Sequence, residues 1–204
     1  MIIVVDYGVG NVGSIANMLR KVGAPVEVGR TEDELRRASK LILPGVGAFD
    51  NGMSNLSARG LVPVLNELVL EREIPILGIC LGMQLFAARS EEGQREGLRW
   101  IDGDAVRFRF GPECARLKVP HMGWNTVSVH DSGSQTLVAE GSRFYFVHAY
   151  HLTCRNDADV VGRTSYGYHF ASVIRRRNIH GVQFHPEKSL RFGMDLLRRF
   201  WQDA

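Results

Sequence analysis

The sequence predicts an α/β fold in which helices flank a central, mostly parallel sheet and the second half of the chain is rich in antiparallel strands. Two observations carry this prediction. Short apolar runs alternate with helix-like stretches over residues 2–88, which is typical of a parallel sheet covered by helices. From about Asp104 onwards, one strand-like run follows another, which indicates antiparallel strands joined as hairpins.

The first half is predicted to contain four pairs of a strand and a helix. The strands are expected at residues 2–5, 26–28, 41–43 and 76–79, and the helices at residues 12–22, 32–38, 61–72 and 83–88. Thr31 and Glu34 form a capping-box pattern that supports the second helix. Pro25 and Pro75 each precede an apolar run, where a proline can open a strand without breaking its hydrogen-bond ladder.

The second half is predicted to contain six strands and a final helix. The strands are expected at residues 105–110, 124–129, 143–147, 160–165, 169–174 and 179–184. The helix is expected from Leu190 to Trp201, because apolar residues recur there at helical spacing, and Ser189 is placed to cap it. A chain of 204 residues without a linker-like tract predicts one domain, residues 1–204.

Composition and charge argue against several classes of function. A net charge of +3 with scattered basic residues does not favour nucleic acid, and the arginines at 175–177 favour a solvated turn over an anion site. The first apolar run is too short for a signal peptide or a membrane span. Three cysteines without a Cys-x-x-Cys pair indicate a reducing compartment. We therefore expect a cytoplasmic protein that binds neither nucleic acid nor membrane.

Metal and nucleotide sites are also disfavoured. His148 and His151 are three residues apart, but no third ligand is obvious, so no metal is expected. The run Gly8-x-Gly10-x-x-Gly13 follows a strand and opens a helix, as a dinucleotide-binding fingerprint does. The spacing from this run to the acidic Glu27 is shorter than usual. We expect no cofactor.

Cys80 has the setting of a catalytic nucleophile. It follows a buried-strand pattern and precedes a helix pattern, so the chain must turn sharply at the cysteine, and Gly78 and Gly82 permit that turn. The arrangement is a cysteine version of the nucleophile elbow. The helix N-terminus would then lower the thiol pKa and offer an N–H to a developing oxyanion. The alternative is a small, inert, buried cysteine at a strand end.

A base and its orienting carboxylate are predicted at the end of the last strand. His185 and Glu187 are two residues apart, and in extended backbone such residues point to the same side. The carboxylate can hold one imidazole nitrogen while the other faces the thiol, as in a catalytic triad. Pro186 favours extended backbone at His185. A surface His and Glu is the alternative, and the cysteine elbow on a parallel strand favours the triad.

Two runs resemble the class I glutamine amidotransferases of the triad type: GICLGMQL around Cys80 and GVQFHPEKS around His185. Three further runs are similar to the glutaminase subunits of imidazole glycerol phosphate synthases: DYGVGN at 6–11, PGVGAF at 44–49 and PHMGWN at 120–125. The resemblance extends from residue 2 to the last helix, and it implies the three-layer α/β fold of that family.

The same resemblance implies a function and a partner. The chain is expected to hydrolyse glutamine to glutamate and ammonia and to pass the ammonia to a (β/α)8-barrel cyclase, with which it forms a heterodimer. The cyclase makes imidazole glycerol phosphate and aminoimidazole carboxamide ribotide in histidine biosynthesis. Three rivals remain: a non-catalytic binding module, a glutaminase of another pathway, and a cysteine peptidase of the same architecture. The run PHMGWN favours histidine biosynthesis.

The resemblance also assigns roles to single residues. The expected triad is Cys80, His185 and Glu187. The positions matched to glutamine binding are Gly45, Val46 and Gly47 with the Leu81 amide for the oxyanion, and Gln84 and Glu92 for the amino-acid end. The positions matched to the cyclase interface are Asn11, Trp124, Tyr145 and Lys188, with core aromatics and a surface charge as the ordinary alternative. Ala149 stands where a hydroxyl residue is usual, which removes one side-chain contact to the substrate.

The turn at residues 44–47 raises a hypothesis about regulation. Its glycines leave the peptide plane at Val46 free to face either way, and an oxyanion hole needs an N–H that points at the developing charge. The isolated subunit is therefore expected to be poorly active until a ligand-loaded cyclase stabilises the competent loop.

Overall fold

The computed structural model describes residues 1–129 and 136–204 of the chain. The strands in chain order are β1 (Ile2–Val5), β2 (Val26–Gly29), β3 (Lys40–Gly45), β4 (Ile76–Cys80), β5 (Arg89–Ser90), β6 (Gly103–Arg107), β7 (His121–Thr126), β8 (Ser128–Val129), β9 (Arg143–His148), β10 (Tyr150–Cys154), β11 (Val160–Tyr166), β12 (Tyr168–Arg176) and β13 (Ile179–Val182). The α-helices are α1 (Val12–Lys21), α2 (Glu32–Leu35), α3 (Phe49–Ala58), α4 (Leu61–Asn66), α5 (Leu81–Gln84) and α6 (Leu190–Asp203).

One eight-stranded sheet forms the centre of the fold, in the order β2-β1-β3-β4-β13-β12-β11-β8. The first five of these strands are parallel, and β12, β11 and β8 continue the sheet antiparallel. Smaller sheets are formed by β10-β6-β5 and by β7-β9. Both halves of the predicted pattern are therefore confirmed, and β13 returns from the second half to lie beside β4.

Alternate side chains of the parallel strands enter two separate cores. Ile3 and Val5 pack with helices α3 and α4 on one face, while Ile2 and Val4 pack with α1 and α6 on the other. All four side chains are buried, which explains why these strands read as continuous apolar runs. The result is a three-layer α/β/α arrangement, as predicted. In the described part of the chain, no helix is long and apolar enough to cross a membrane.

Several predicted elements were wrong in extent or missed. The helix α3 was not predicted, because its sequence contains Gly, Asn and Ser of low helix propensity; burial of Phe49, Met53 and Leu56 holds it in place. The helix expected at residues 83–88 is only the short α5, which begins directly after Cys80. Strand β10 was also missed.

Ser189 does not cap α6, contrary to the prediction. Its hydroxyl donates to the carbonyl of His185 at 2.6 Å and accepts from the backbone N–H of Tyr145 at 3.0 Å. Ser189 thus ties the segment that carries His185 to strand β9. The arginines at 175–177 lie at the end of β12 and in the turn to β13, as expected, and Arg177 adopts a positive φ of 53° there.

Candidate active site

Cys80 lies at the junction of β4 and α5, with a φ of 54° and a ψ of −108°. A non-glycine residue in such a conformation costs about 1–3 kcal/mol and is held only by its surroundings. The flanking glycines do not supply the turn, since neither has a positive φ. Gly78 leaves room for Phe86, whose ring would lie 2.6 Å from a Cβ there, and a Cβ at Gly82 would overlap the carbonyl of Leu43. The elbow is therefore present, but its glycines serve close packing.

His185 and Glu187 form a buried pair in the segment that follows β13. Nδ1 of His185 and Oε1 of Glu187 are 2.9 Å apart, and each side chain is 1% exposed. His185 has the expected extended backbone, but residues Pro186–Lys188 form a 3₁₀ turn. The reasoning from continuous extended backbone was therefore wrong, and it is the turn that brings the carboxylate back to the imidazole.

The second imidazole nitrogen of His185 is free for chemistry. Because the carboxylate of Glu187 accepts the proton on Nδ1, the neutral imidazole carries a lone pair on Nε2. Among the described residues, Nε2 of His185 and Oε2 of Glu187 are the buried side-chain polar atoms that lack a hydrogen-bond partner. His185 and Cys80 line the same pocket, so Nε2 is available to exchange a proton there.

The charge of the pair favours a protonated imidazole. Burial alone would lower the pKa of His185, but its interactions with Cys80 and with Glu187 outweigh burial and raise the pKa to about 10. At neutral pH the imidazole can therefore supply a proton to a leaving group. This is the role that the triad hypothesis gives it.

A pocket of about 640 Å³ opens above Cys80. It is lined by Val46, Gly47, Ala48, Cys80, Leu81, Gln84, Glu92, Pro120, Val147, His148, Ala149, Tyr150, His185 and Lys188. Every position that the resemblance matched to glutamine binding lies in this lining, with the exception of Gly45. Gly45 is the β3 residue that pairs with Cys80 in the sheet, and a Cβ there would lie 2.7 Å from Cβ of Leu81.

The turn after β3 is anchored at its first end by a residue that the sequence did not reveal as functional. The hydroxyl of Tyr7 donates to the carbonyl of Pro44 at 2.7 Å, and Tyr7 is fully buried. A Cβ on Gly10 would lie 3.1 Å from Cβ of Pro44, so the glycine-rich loop packs directly on this turn. Val46, in contrast, is 43% exposed. Close packing on this turn therefore explains the glycine-rich loop without a bound nucleotide.

Gln84 is held by two acceptors below the pocket. Its Nε2 donates to the carbonyl of Tyr150 at 2.9 Å and to Oε1 of Gln183 at 3.1 Å, so both hydrogens of this amide are used. Only Oε1 of Gln84 remains to accept a hydrogen bond from a substrate. Gln183 was not predicted. It is fully buried, and its amide lies 3.7 Å from Sγ of Cys80.

A pair of histidines supports the same carbonyl. Nδ1 of His148 donates to the carbonyl of Tyr150 at 2.8 Å, and Nε2 of His148 faces Nδ1 of His121 at 3.1 Å. Burial holds the pKa of both histidines below the ordinary value. His151 instead faces the Tyr168 hydroxyl at 2.8 Å. In the described part of the chain no three His, Cys, Asp or Glu residues could hold a metal ion together.

The four positions matched to a partner interface lie at the surface or close to it. Trp124 is 41% exposed and pairs with Tyr145 across β7 and β9, with the two ring centroids 6.3 Å apart. Nζ of Lys188 lies 5.7 Å from the ring centroid of Tyr145. Asn11 is exposed at the start of α1. Trp124 is therefore not a core residue, so the alternative that it is an ordinary core aromatic was wrong.

Residues 3–204 match the family model of the class I glutamine amidotransferases. The chain is 48% identical over 201 residues to imidazole glycerol phosphate synthase subunit HisH 2 of Pseudomonas aeruginosa, with 98% of each chain covered. It is 46% identical to subunit HisH 2 of Methanococcus maripaludis, with all of each chain covered.

Solved structures show the same fold at low sequence identity. The crystal structure of a glutamine amidotransferase aligns with a TM-score of 0.72 at 19% identity, and the alignment covers 97% of this chain and 96% of that one. PurLQS from Thermotoga maritima aligns with a TM-score of 0.70 at 18% identity, covering 98% of this chain and 95% of its own. Together with the family match and the close relatives, these findings show that the chain belongs to the class I glutamine amidotransferase family and, within it, to the HisH subunits of imidazole glycerol phosphate synthase.

Proposed function

We propose that the chain is the glutaminase subunit of an imidazole glycerol phosphate synthase and hydrolyses glutamine to glutamate and ammonia for histidine biosynthesis. The observation that carries this proposal is that His185, which is paired with the buried Glu187, lines one pocket with the strained Cys80. A cysteine, a histidine and a carboxylate arranged in this way can act as the nucleophile, the base and the group that orients the base.

The reaction is an acyl transfer in two steps. The thiolate of Cys80 attacks the carboxamide carbon of glutamine, and His185 gives the proton on Nε2 to the nitrogen that leaves as ammonia. Water then attacks the thioester while His185 takes its proton, so glutamate leaves and the thiolate is restored. Glu187 holds Nδ1 of His185 throughout. The Leu81 N–H and an N–H of the turn at residues 45–47 would stabilise the oxyanion.

Regulation through the turn at residues 45–47 is part of the proposal. Tyr7 fixes the carbonyl of Pro44, whereas Val46 lies exposed on the rim of the pocket. A partner that contacts this rim can shift the population of the loop towards the conformation whose N–H faces the oxyanion. The isolated subunit should therefore turn over glutamine slowly. Equal glutaminase rates with and without a cyclase and its ligand would contradict this.

A cyclase with a (β/α)8-barrel fold is the proposed partner, in a heterodimer. Large apolar side chains lie exposed on strand β7 and at the start of α6, where Met122 is 63% and Leu190 is 72% exposed. Trp124 and Leu190 line one groove of about 550 Å³. Such a patch suits a protein interface. Trp124→Ala should weaken the heterodimer at least tenfold in calorimetric titrations, and unchanged affinity would contradict the assignment.

The remaining roles follow from the same proposal. Asn11, Tyr145 and Lys188 would face the cyclase, and Gln84 and Glu92 would hold the amino-acid end of glutamine. The whole chain, residues 1–204, would act as one glutaminase domain. Its three unpaired cysteines suit a reducing compartment, which supports a cytoplasmic location.

Changing the nucleophile tests the proposed function directly. Cys80→Ala should abolish glutamine-dependent turnover of the assembled synthase and leave its ammonia-dependent turnover unchanged, because only the supply of ammonia is lost. Labelling of Cys80 by a glutamine-analogue alkylator would separate an enzyme from a non-catalytic binding module, and failure to cleave peptides would separate it from a peptidase. Full glutamine-dependent activity in Cys80→Ala would overturn the proposal.

A further inference from the structure

The first turn of α3 and the loop at residues 91–95 are joined by three hydrogen bonds. The backbone N–H of Phe49 donates to Oε2 of Glu92 at 2.8 Å. In the opposite direction, the backbone N–H groups of Gln94 and Arg95 donate to the two carboxylate oxygens of Asp50, each at 2.9 Å. We refer to these three bonds as the Asp50–Glu92 clasp. Each carboxylate thus accepts hydrogen bonds from backbone N–H groups of the other segment.

The local sequence explains why the clasp forms. Ala48 occupies the N-cap position of α3 and has no side-chain acceptor, so the first N–H of the helix needs a partner from elsewhere. Glu92 supplies it, with its negative charge at the positive end of the helix. Gly93 permits the approach, since a Cβ there would overlap the carboxylate of Asp50. The N–H groups of Gln94 and Arg95 also hold the pKa of Asp50 below its ordinary value.

The clasp connects the glutamine pocket to the oxyanion turn. Glu92 lines the pocket above Cys80, while Phe49 follows Val46 by three residues. Tyr7 holds the first end of this turn at Pro44, and Glu92 holds the second end at Phe49. Residues 46–48, which lie between these two anchors, are exposed at the rim of the pocket. Asp50 itself is not part of the pocket lining.

We propose that Asp50 is a positioning residue for glutamine hydrolysis. By holding Gln94 and Arg95, it fixes the loop so that Glu92 meets the amino-acid end of glutamine and anchors the end of the oxyanion turn at the same time. This inference rests on the proposed glutaminase function and on the role given there to Glu92. The carboxylate of Glu92, which Asp50 holds in place, would thus bind the substrate and also support the turn that stabilises the transition state.

Asp50→Asn is the most conservative test. The side chain keeps its shape, but an amide NH₂ replaces one acceptor and faces a backbone N–H, so one charge-assisted bond is lost. We expect kcat/KM for glutamine to fall about tenfold in the complex with the cyclase, through a higher KM together with a lower kcat. Gly93→Ala should give the same pattern, because its Cβ displaces the same contact. Asp33→Asn, an exposed carboxylate on α2, is the matched control and should change neither constant.

Two alkylating probes of Cys80 separate positioning from a general loss of structure. A glutamine-analogue diazoketone has the amino-acid end that Glu92 would bind, whereas iodoacetamide lacks it. In Asp50→Asn and Gly93→Ala, inactivation by subsaturating diazoketone should slow about tenfold, while the rate with iodoacetamide stays within about twofold of the wild type. Unchanged diazoketone rates, or an equal fall with both probes and a lower melting temperature, would overturn the inference.

Glu92→Gln distinguishes this inference from the proposed function. If wild-type Cys80 reacts with the diazoketone and Glu92→Gln slows that reaction, the glutaminase assignment stands and the Asp50 variants decide the inference alone. If Glu92→Gln has no effect, the substrate role of Glu92 is wrong, and the inference fails with it. If the wild type neither reacts with the diazoketone nor turns over glutamine, the proposed function itself fails.

Discussion

Glu187→Gln measures how much the buried partner of His185 contributes to catalysis. The carboxylate lies 2.9 Å from Nδ1 of His185, and both side chains are 1% exposed, so solvent screens their interaction little. An amide of the same shape removes the negative charge. It can also turn its NH₂ towards Nδ1, which would favour the tautomer with the proton on Nε2 and leave no base facing Cys80.

The size of the effect follows from this hydrogen bond. A bond to a charged group contributes about 1.5–3 kcal/mol, and about 1.36 kcal/mol corresponds to a factor of ten in rate. We therefore expect kcat/KM for glutamine to fall about 10-fold to about 150-fold in Glu187→Gln. This loss is smaller than the complete loss expected for Cys80→Ala, because the thiol and the oxyanion contacts remain.

The pH dependence gives a second readout of the same change. Burial lowers the pKa of His185, and Cys80 and Glu187 together raise it to about 10. Without the carboxylate, burial is less opposed, so the alkaline limb of kcat/KM should move to lower pH. Because the pKa of His185 is higher in the folded protein than in the unfolded chain, its protonation stabilises the fold. This contribution is complete below about pH 6.5 and is lost as pH rises through the pKa of the folded protein. The melting temperatures of the wild type and Glu187→Gln should therefore differ more at pH 6.5 than at pH 10.

The assay follows glutamate release from the complex with the cyclase and its ligand, with ammonia-dependent synthesis measured in parallel. Ammonia-dependent synthesis should be unchanged, since Glu187 serves only the glutaminase site. Glu71→Gln, which changes an exposed glutamate, is the matched control. A kcat/KM for glutamine within about twofold of the wild type, with an unchanged alkaline limb, would refute the reasoning about the pair.

Three further predictions concern residues around the site and in the core. Tyr7→Phe leaves the buried carbonyl of Pro44 without its donor and should cost about 1–3 kcal/mol in urea unfolding and lower glutamine turnover; unchanged values would contradict the anchoring role. Ala149→Thr should lower KM for glutamine by about two- to fivefold, as one neutral hydrogen bond is gained, and a raised KM would contradict this. Burial, Arg175 and Lys40 lower the pKa of His180 to about 4, so stability should fall as pH drops below about 6.5; in His180→Gln the melting temperature should depend less on pH in that range.

The sequence was sufficient for the parts of the site that chemistry restricts to a few residue types. Cys80 sits where a buried strand turns into a helix, and His185 with Glu187 ends another strand, so each local pattern was visible. That β13 pairs with β4 and brings the two strand ends together is a tertiary fact, which local patterns cannot give. The resemblance to a known family supplied only the expectation that Cys80, His185 and Glu187 act together.

The residues that sequence reasoning missed act through contacts distant in the chain. Tyr7 reaches Pro44 across 37 positions, and Gln183 reaches Gln84 across 99. A tyrosine after a strand or a glutamine within one gives no local sign of such a partner. The helix α3 was missed for a related reason, because its stability comes from buried apolar side chains and from Glu92 at its N-terminus rather than from helix propensity.

The two anchors of the oxyanion turn limit where a partner can act. Tyr7 and Glu92 hold its ends by hydrogen bonds within the subunit, so neither bond depends on a cyclase. A signal from the partner need only reorient the exposed residues 46–48, which costs far less than moving a strand. We therefore expect Tyr7→Phe and Asp50→Asn, each of which weakens one anchor, to lower glutamine turnover in the complex more than in the isolated subunit. On the regulatory hypothesis, the isolated subunit rarely adopts the competent conformation of the turn, and that conformation is the one that the anchors support.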